Sequence, residues 1–167
     1  MSVIDPTIFR SYDIRGVVDV DLTEAAVERI GLAYATLARA RGLRTLTVGR
    51  DCREHSPRLF AALARGLTAG GADVIDVGVV ATPMQYFSIP HLGADGGVQI
   101  TGSHNPPEYN GLKLTLGGDS LHGEDIQALR RLATGEEPLL PAGAPGQVRA
   151  IDIVQAYEDA LVAQARM

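Results

Sequence analysis

Strand and helix signals alternate along most of the 167 residues, which predicts an α/β layer fold. Two further observations support it. Apolar residues make up 46% and charged residues 21%, the balance of an ordinary soluble globular protein. Two helices also announce themselves by a hydroxyl residue followed by proline, Ser56-Pro57 and Thr82-Pro83. The length suits one domain with room for a proper core.

In chain order, Asp21-Leu22-Thr23-Glu24 reads as a capping box. It opens a helix with Val27, Ile30, Tyr34 and Leu37 on one stripe, and Gly42 ends it. Thr45–Val48 is a strand, with Gly49, Arg50 and Asp51 at its carboxyl end. Ser56, as N-cap before Pro57, starts a helix that stops near Gly70-Gly71. Asp73–Val77 is a second strand, and a shorter helix runs from Thr82-Pro83 to Leu92-Gly93. Gly97–Thr101 is a third strand. Leu112–Leu116 alternates apolar and polar residues and is a fourth, with Lys113 on the face opposite Leu112 and Leu114. A helix over residues 124–133 precedes a Gly/Pro-rich connector, and Asp152 caps a terminal helix with Val154, Tyr157 and Leu161 on one stripe. Residues 1–140 are expected to form the α/β domain, and 141–167 the connector and terminal helix.

Bulk properties remove several function classes. A net charge of −5 argues against nucleic acid as a partner. No run approaches the ~18–20 apolar residues of a membrane span. Residues 1–6 lack the basic start and apolar stretch of a secretory signal, so a cytoplasmic protein is expected. The single cysteine, Cys52, excludes an internal disulfide and a cysteine-based zinc cage, and is expected to be inert packing. His55, His91 and His122 have no ligand-like spacing.

The chemistry concentrates in residues 101–113, Thr-Gly-Ser-His-Asn-Pro-Pro-Glu-Tyr-Asn-Gly-Leu-Lys. Ser103, in a glycine-flanked loop at a strand end, is a candidate nucleophile or phosphate carrier. Its plainer role is a loop hydroxyl capping a turn punctuated by Asn105-Pro106-Pro107. His104 is a titratable neighbour. Lys113 is the only lysine; Lys and Arg total 15, so the other fourteen are arginines. Its compact ammonium can exchange a proton, which guanidinium cannot. Alone, His104 reads as a structural hydrogen-bonder and Lys113 as a solvated strand residue. No Gly-x-Ser-x-Gly elbow, phosphate-binding Walker loop or dinucleotide fingerprint is present.

Two other loops add arginines. Phe9–Gly16 carries Arg10, Tyr12 and Arg15, where the alternative to anion binding is an ion pair with Asp13. Gly49–Arg53 lies just past a strand end, where open α/β sheets bind ligands; its alternative is an Arg50–Asp51 pair. If the three loops converge they make an oxyanion-friendly cleft, as phosphoryl transfer requires.

These three loops together resemble the first domain of the α-D-phosphohexomutases, in their bacterial phosphomannomutase/phosphoglucomutase branch. The matching motifs are Phe9-Arg-x-Tyr-Asp-Ile-Arg-Gly16, Val48-Gly-Arg-Asp-x-Arg53 with Ser56, and residues 101–113. His55 departs from the pattern, which has a small residue there. The resemblance implies a three-layer arrangement with a mixed sheet of about four strands between helices. It implies that Ser103 carries the phosphoryl group as phosphoserine, in an exchange of hexose 1-phosphate and hexose 6-phosphate through a hexose 1,6-bisphosphate. Arg15 would steady the transferring group, Tyr12 would touch the substrate, and His104 and Lys113 would stand beside the phosphoserine, Lys113 as acid/base or charge stabiliser. Mg²⁺ would be met through the Ser103 phosphate and an aspartate loop. That loop, the sugar-reading loop and the distal phosphate clamp have no counterpart here. An isolated first domain with negligible mutase activity is therefore expected, with the other domains of such an enzyme as its partners. The competing readings are a non-catalytic sugar-phosphate or anion module and, more remotely, a serine hydrolase. Apolar surface on the terminal helix would favour self-association.

Overall fold

The computed structural model describes residues 4–166. A short 3-10 turn, Pro6–Ile8, leads into β1 (Ile14–Val17), α1 (Glu24–Ala40), β2 (Thr45–Arg50), α2 (Ser56–Ala69) and β3 (Asp73–Val79). Then follow α3 (Thr82–His91), β4 (Gly96–Ile100), β5 (Tyr109–Leu116), β6 (Asp119–Ser120), α4 (Glu124–Thr134), β7 (Val148–Ala150) and α5 (Val154–Ala165). The sheet order is β1-β5-β4-β2-β3-β7, with β6 on β5. Strands β4, β2, β3 and β7 run parallel, whereas β5 is antiparallel to β4, β1 and β6. The expected mixed α/β architecture is present, but among the described residues the sheet has seven strands instead of about four. The additions are short: four residues in β1, two in β6 and three in β7. Ladder partners, more than local preference, define such pieces.

Side chains alternate across a strand, and the two sheet faces differ. Leu46, Val48, Val98, Ile100, Leu112 and Leu114 join the large core that α1, α2 and α4 cover. The opposite face carries α3 and a smaller cluster of Ile75, Val77, Val80 and Ile153. Helices α1 and α2 meet backbone to backbone: a Cβ on Gly66 would stand 1.9 Å from the Glu28 carbonyl oxygen. Tyr34, fully buried in α1, donates its hydroxyl to the Thr115 carbonyl at 2.6 Å, and burial drives its phenol upward.

Four helix starts differ from expectation, one of them α3, where Thr82 is the first helical residue and Ala81 the cap. The cap of α1 is Thr23, whose hydroxyl accepts from Ala26 N at 3.1 Å; Asp21 instead accepts from Val17 N at 2.8 Å and closes the preceding turn. Ser56 is the first residue of α2 and turns its hydroxyl to Asp51 instead of capping. Asp152 stands one residue before the cap of α5, where its carboxylate accepts from Val154 N at 2.9 Å. Helix α5 buries none of its described residues fully. It leaves Val154 and Leu161 exposed and sets Tyr157 edge-on to Phe87 at 5.3 Å. Cys52, expected as packing, is exposed. Among the described residues, no helix is long and apolar enough to cross a membrane.

Candidate active site

The parallel pair β2 and β4 ends with its carboxyl termini side by side, so the loops that follow, residues 51–55 and 101–108, are neighbours. Antiparallel β5 returns beside β4 and brings Lys113 level with Gln99. Strand β1 then adds to β5 with Arg15 level with Gly111. A cleft of about 670 Å³ results. The amino-terminal segment contributes Arg10, Ser11, Tyr12, Asp13 and Arg15; the loop contributes Ser103, His104, Asn105 and Pro106; β5 contributes Tyr109 and Lys113. Every residue singled out for chemistry (Tyr12, Arg15, Ser103, His104 and Lys113) lines it. Leaving His104 aside, the described lining residues set three cations (Arg10, Arg15, Lys113) against one carboxylate, Asp13, an excess of two positive charges.

Ser103 adopts φ +54, a left-handed conformation that side chains other than glycine, asparagine and aspartate rarely occupy. Its amide donates to Thr101 Oγ1 at 2.9 Å, while its exposed hydroxyl lies 3.3 Å from His104 Nδ1. Arg15 donates to Asp13 at 2.5 Å, the ion pair anticipated as the alternative to anion binding. The pair does not saturate the guanidinium: Arg15 Nε is buried without a partner among the described residues. Lys113 is half-buried. Tyr12, 64% exposed, stands at the rim.

The second arginine loop does not line the cleft. It supports the cleft from behind, because its charges are engaged elsewhere. Arg50 pairs with Asp76 at 2.7 Å and covers the Phe60 ring, so it is not paired with Asp51. Asp51 accepts from the Ser56 hydroxyl at 2.6 Å and from the amides of Arg53 and Gly102 at 3.1 Å. Burial pushes its carboxyl up, but these bonds and one to Thr101 outweigh burial and hold it below the usual carboxylate range. Arg53 donates to four loop carbonyls, those of Ser103, Asn105, Pro106 and Tyr109. Asn110, fully buried, donates to the Ser56 hydroxyl at 2.9 Å and lies 3.0 Å from His55 Nδ1. The other ring nitrogen of His55 is 3.0 Å from the Pro107 carbonyl, so the departure from the motif fastens the loop exit. Sequence reasoning singled out neither Asn110 nor Tyr109. The usable signal was an asparagine inside a strand, which when buried must find partners.

The residues present do not fit a Mg²⁺ ion by themselves. The one carboxylate lining the cleft is paired with Arg15, and no group of three or more His, Cys, Asp or Glu side chains among the described residues could hold a metal. A second cavity, about 610 Å³ between α3 and the β5–β6 turn, is lined by Leu43, Ile89 and Pro90. Its one charged group, Asp95, already accepts from the Arg44 and Thr45 amides.

Residues 6–139 match the family profile described as phosphoglucomutase/phosphomannomutase, alpha/beta/alpha domain I. A phosphoglucomutase of Neisseria gonorrhoeae is 43% identical over 167 residues, covering 100% of this chain and 36% of that protein. A phosphomannomutase/phosphoglucomutase of Pseudomonas aeruginosa strain PAO1 is 44% identical over 151 residues, covering 90% of this chain and 32% of that protein. The crystal structure of a phosphoglucomutase/phosphomannomutase family protein from Burkholderia thailandensis superposes with a TM-score of 0.88 at 37% identity, over 96% of this chain and 36% of that one. The chain thus spans about a third of the length of these relatives.

Proposed function

Since this chain belongs to the phosphoglucomutase/phosphomannomutase family and matches its domain I, we propose that it carries the phosphoryl group on Ser103 during the interconversion of hexose 1-phosphate and hexose 6-phosphate. The observation that supports this most is the setting of Ser103: an exposed hydroxyl, held in a strained conformation, at the mouth of a cleft with excess positive charge.

In the forward step the Ser103 Oγ–P bond breaks as a bond from phosphorus to a hexose hydroxyl oxygen forms. The sugar hydroxyl gives its proton to a base, and the departing Ser103 oxygen takes up a proton to become a free hydroxyl, ready to be rephosphorylated. The product is a hexose 1,6-bisphosphate, which turns and returns its other phosphoryl group to Ser103. Arg15 and Lys113 meet the charge on the equatorial phosphoryl oxygens. Lys113 or His104 moves the proton, and Tyr12 touches the sugar phosphate at the rim. A Mg²⁺ ion would be met on this chain through the Ser103 phosphate alone, with ligands not found among the described residues. A cytoplasmic location and little turnover by these residues alone belong to the same proposal.

Intact-mass spectrometry after incubation with glucose 1,6-bisphosphate tests the carrier role. One added phosphoryl group in the wild type, absent in Ser103→Ala, is the expected result. Phosphate that persists in Ser103→Ala, or sits elsewhere, sinks it. A coupled assay with glucose 1-phosphate checks turnover, and substantial glucose 6-phosphate formation would refute the expected low activity.

A further inference from the structure

We propose that Arg53 is a positioning residue for phosphoryl transfer: its guanidinium gathers the backbone carbonyls of the Ser103 loop and thereby sets where the Ser103 hydroxyl stands. This rests on reading Ser103 as the phosphoryl carrier.

A guanidinium has five N–H donors in one rigid plane. At Arg53 four of them make hydrogen bonds. Nη1 donates to the Pro106 carbonyl at 2.6 Å and the Tyr109 carbonyl at 2.9 Å; Nη2 donates to Asn105 at 2.6 Å and Ser103 at 3.3 Å. Nε faces Asp51 Oδ2 at 3.4 Å. Carbonyls spread over seven residues thus converge on one side chain that is 16% exposed. The chain also makes room for it. A Cβ on Gly102 would lie 2.4 Å from Arg53 Cζ and 2.5 Å from Nε, so the guanidinium lies flat against the backbone immediately before Ser103. Any side chain at 102 would displace it.

Arg53 is outside the cleft-lining set and so does not act on substrate directly. Its effect is conformational. The left-handed Ser103 is a conformation the loop would leave if its carbonyls were released to water, since such strain persists only when the surroundings over-determine it. Asp51 completes the device: it holds the Gly102 amide while facing the guanidinium, so one ion pair grips the loop through both its N–H and its C=O groups. A lysine could not substitute, because three donors on a single point cannot span carbonyls so dispersed.

The test is NMR on the full 167-residue chain as wild type, Arg53→Gln and Arg53→Lys. In the wild type, the Arg53 Nη protons should be individually resolved and slow to exchange; averaged, solvent-like signals overturn the proposal without any variant. In Arg53→Gln, amides of the 102–109 loop should exchange about tenfold faster or more, with α1 and α2 amides unchanged. Ser103 should lose its left-handed chemical-shift signature, and millimolar guanidinium ion should restore it. Arg53→Lys should resemble Arg53→Gln. A loop unchanged in both variants, full function of the lysine, or an equal loss of protection in the core each defeats the idea. If Arg53→Gln does not fold, the wild-type side-chain signals and Arg53→Lys decide. Phosphate uptake is followed by mass in the same samples. Phosphate found on a residue other than Ser103, with a loop that still depends on Arg53, removes the carrier reading and leaves the loop assignment standing.

Discussion

The two faces of the sheet are built from different chemistry. Toward α1, α2 and α4 the strands present Leu46, Val48, Val98, Ile100 and Leu112, a continuous apolar layer. Toward α3 they present Thr47, Gln99 and Thr115, with Gln85 and Ser88 of the helix, all buried and polar. Gln85 donates to Thr47 at 3.1 Å and Gln99 to the Val80 carbonyl at 2.8 Å, yet Gln85 Oε1, Gln99 Oε1 and Thr115 Oγ1 have no partner among the described residues. An unmet buried acceptor costs about 1–3 kcal/mol. The apolar face therefore supplies most of the stability, while the other, beside its small cluster of Ile75, Val77, Val80 and Ile153, gives some up through these polar groups. Lys113 continues the polar row beyond the cover of α3, which is where the cleft opens. Departures from good packing cluster at working surfaces, and here they share a face with the candidate chemistry.

That division can be broken most sharply from the apolar side. Leu63→Ala removes a fully buried side chain of α2 and should cost about 2–5 kcal/mol in a urea melt while leaving the Ser103 loop resonances in place. A loop that reorganises with the core would show that the faces are not independent.

An intermediate effect comes from Asp51. Its folded carboxyl titrates below its unfolded value of about 3.9, so it stabilises the fold at any pH above that value. The contribution is lost as pH falls from there through the lower folded value. Stability measured against pH should drop over that acid window in the wild type and drop less in Asp51→Asn, whose stability is already lower near neutrality. Parallel acid profiles for the two proteins would remove Asp51 from the account.

The smallest effect sharpens the view of the polar face. Thr115→Val replaces an unpartnered buried hydroxyl with a methyl of similar shape and should raise stability by about 1 kcal/mol. A loss of stability would reveal that the hydroxyl has a partner.

Much of this was legible beforehand, for identifiable reasons. Helix α1 announced its stripe and its end at Gly42, and the strand–helix alternation gave the class. Strands β1, β6 and β7 were not legible, since Ile14–Val17 carries an arginine and a glycine and pairs only because β5 lies beside it. Ser103, His104, Lys113, Arg15 and Tyr12 stood out as residue types, and one cleft holds them all. What a linear reading could not supply was the direction of the charges at 50–53. Arginines near a strand end look like anion binders, yet Arg50 turns to Asp76 and Arg53 to backbone carbonyls.

The solitary lysine has a practical consequence. An amine-directed reagent can meet one side chain in this protein, and that side chain lies in the cleft. The native sequence therefore carries its own address for a fluorophore or isotopic methyl group at the site, with no background from other side chains and no engineered residue.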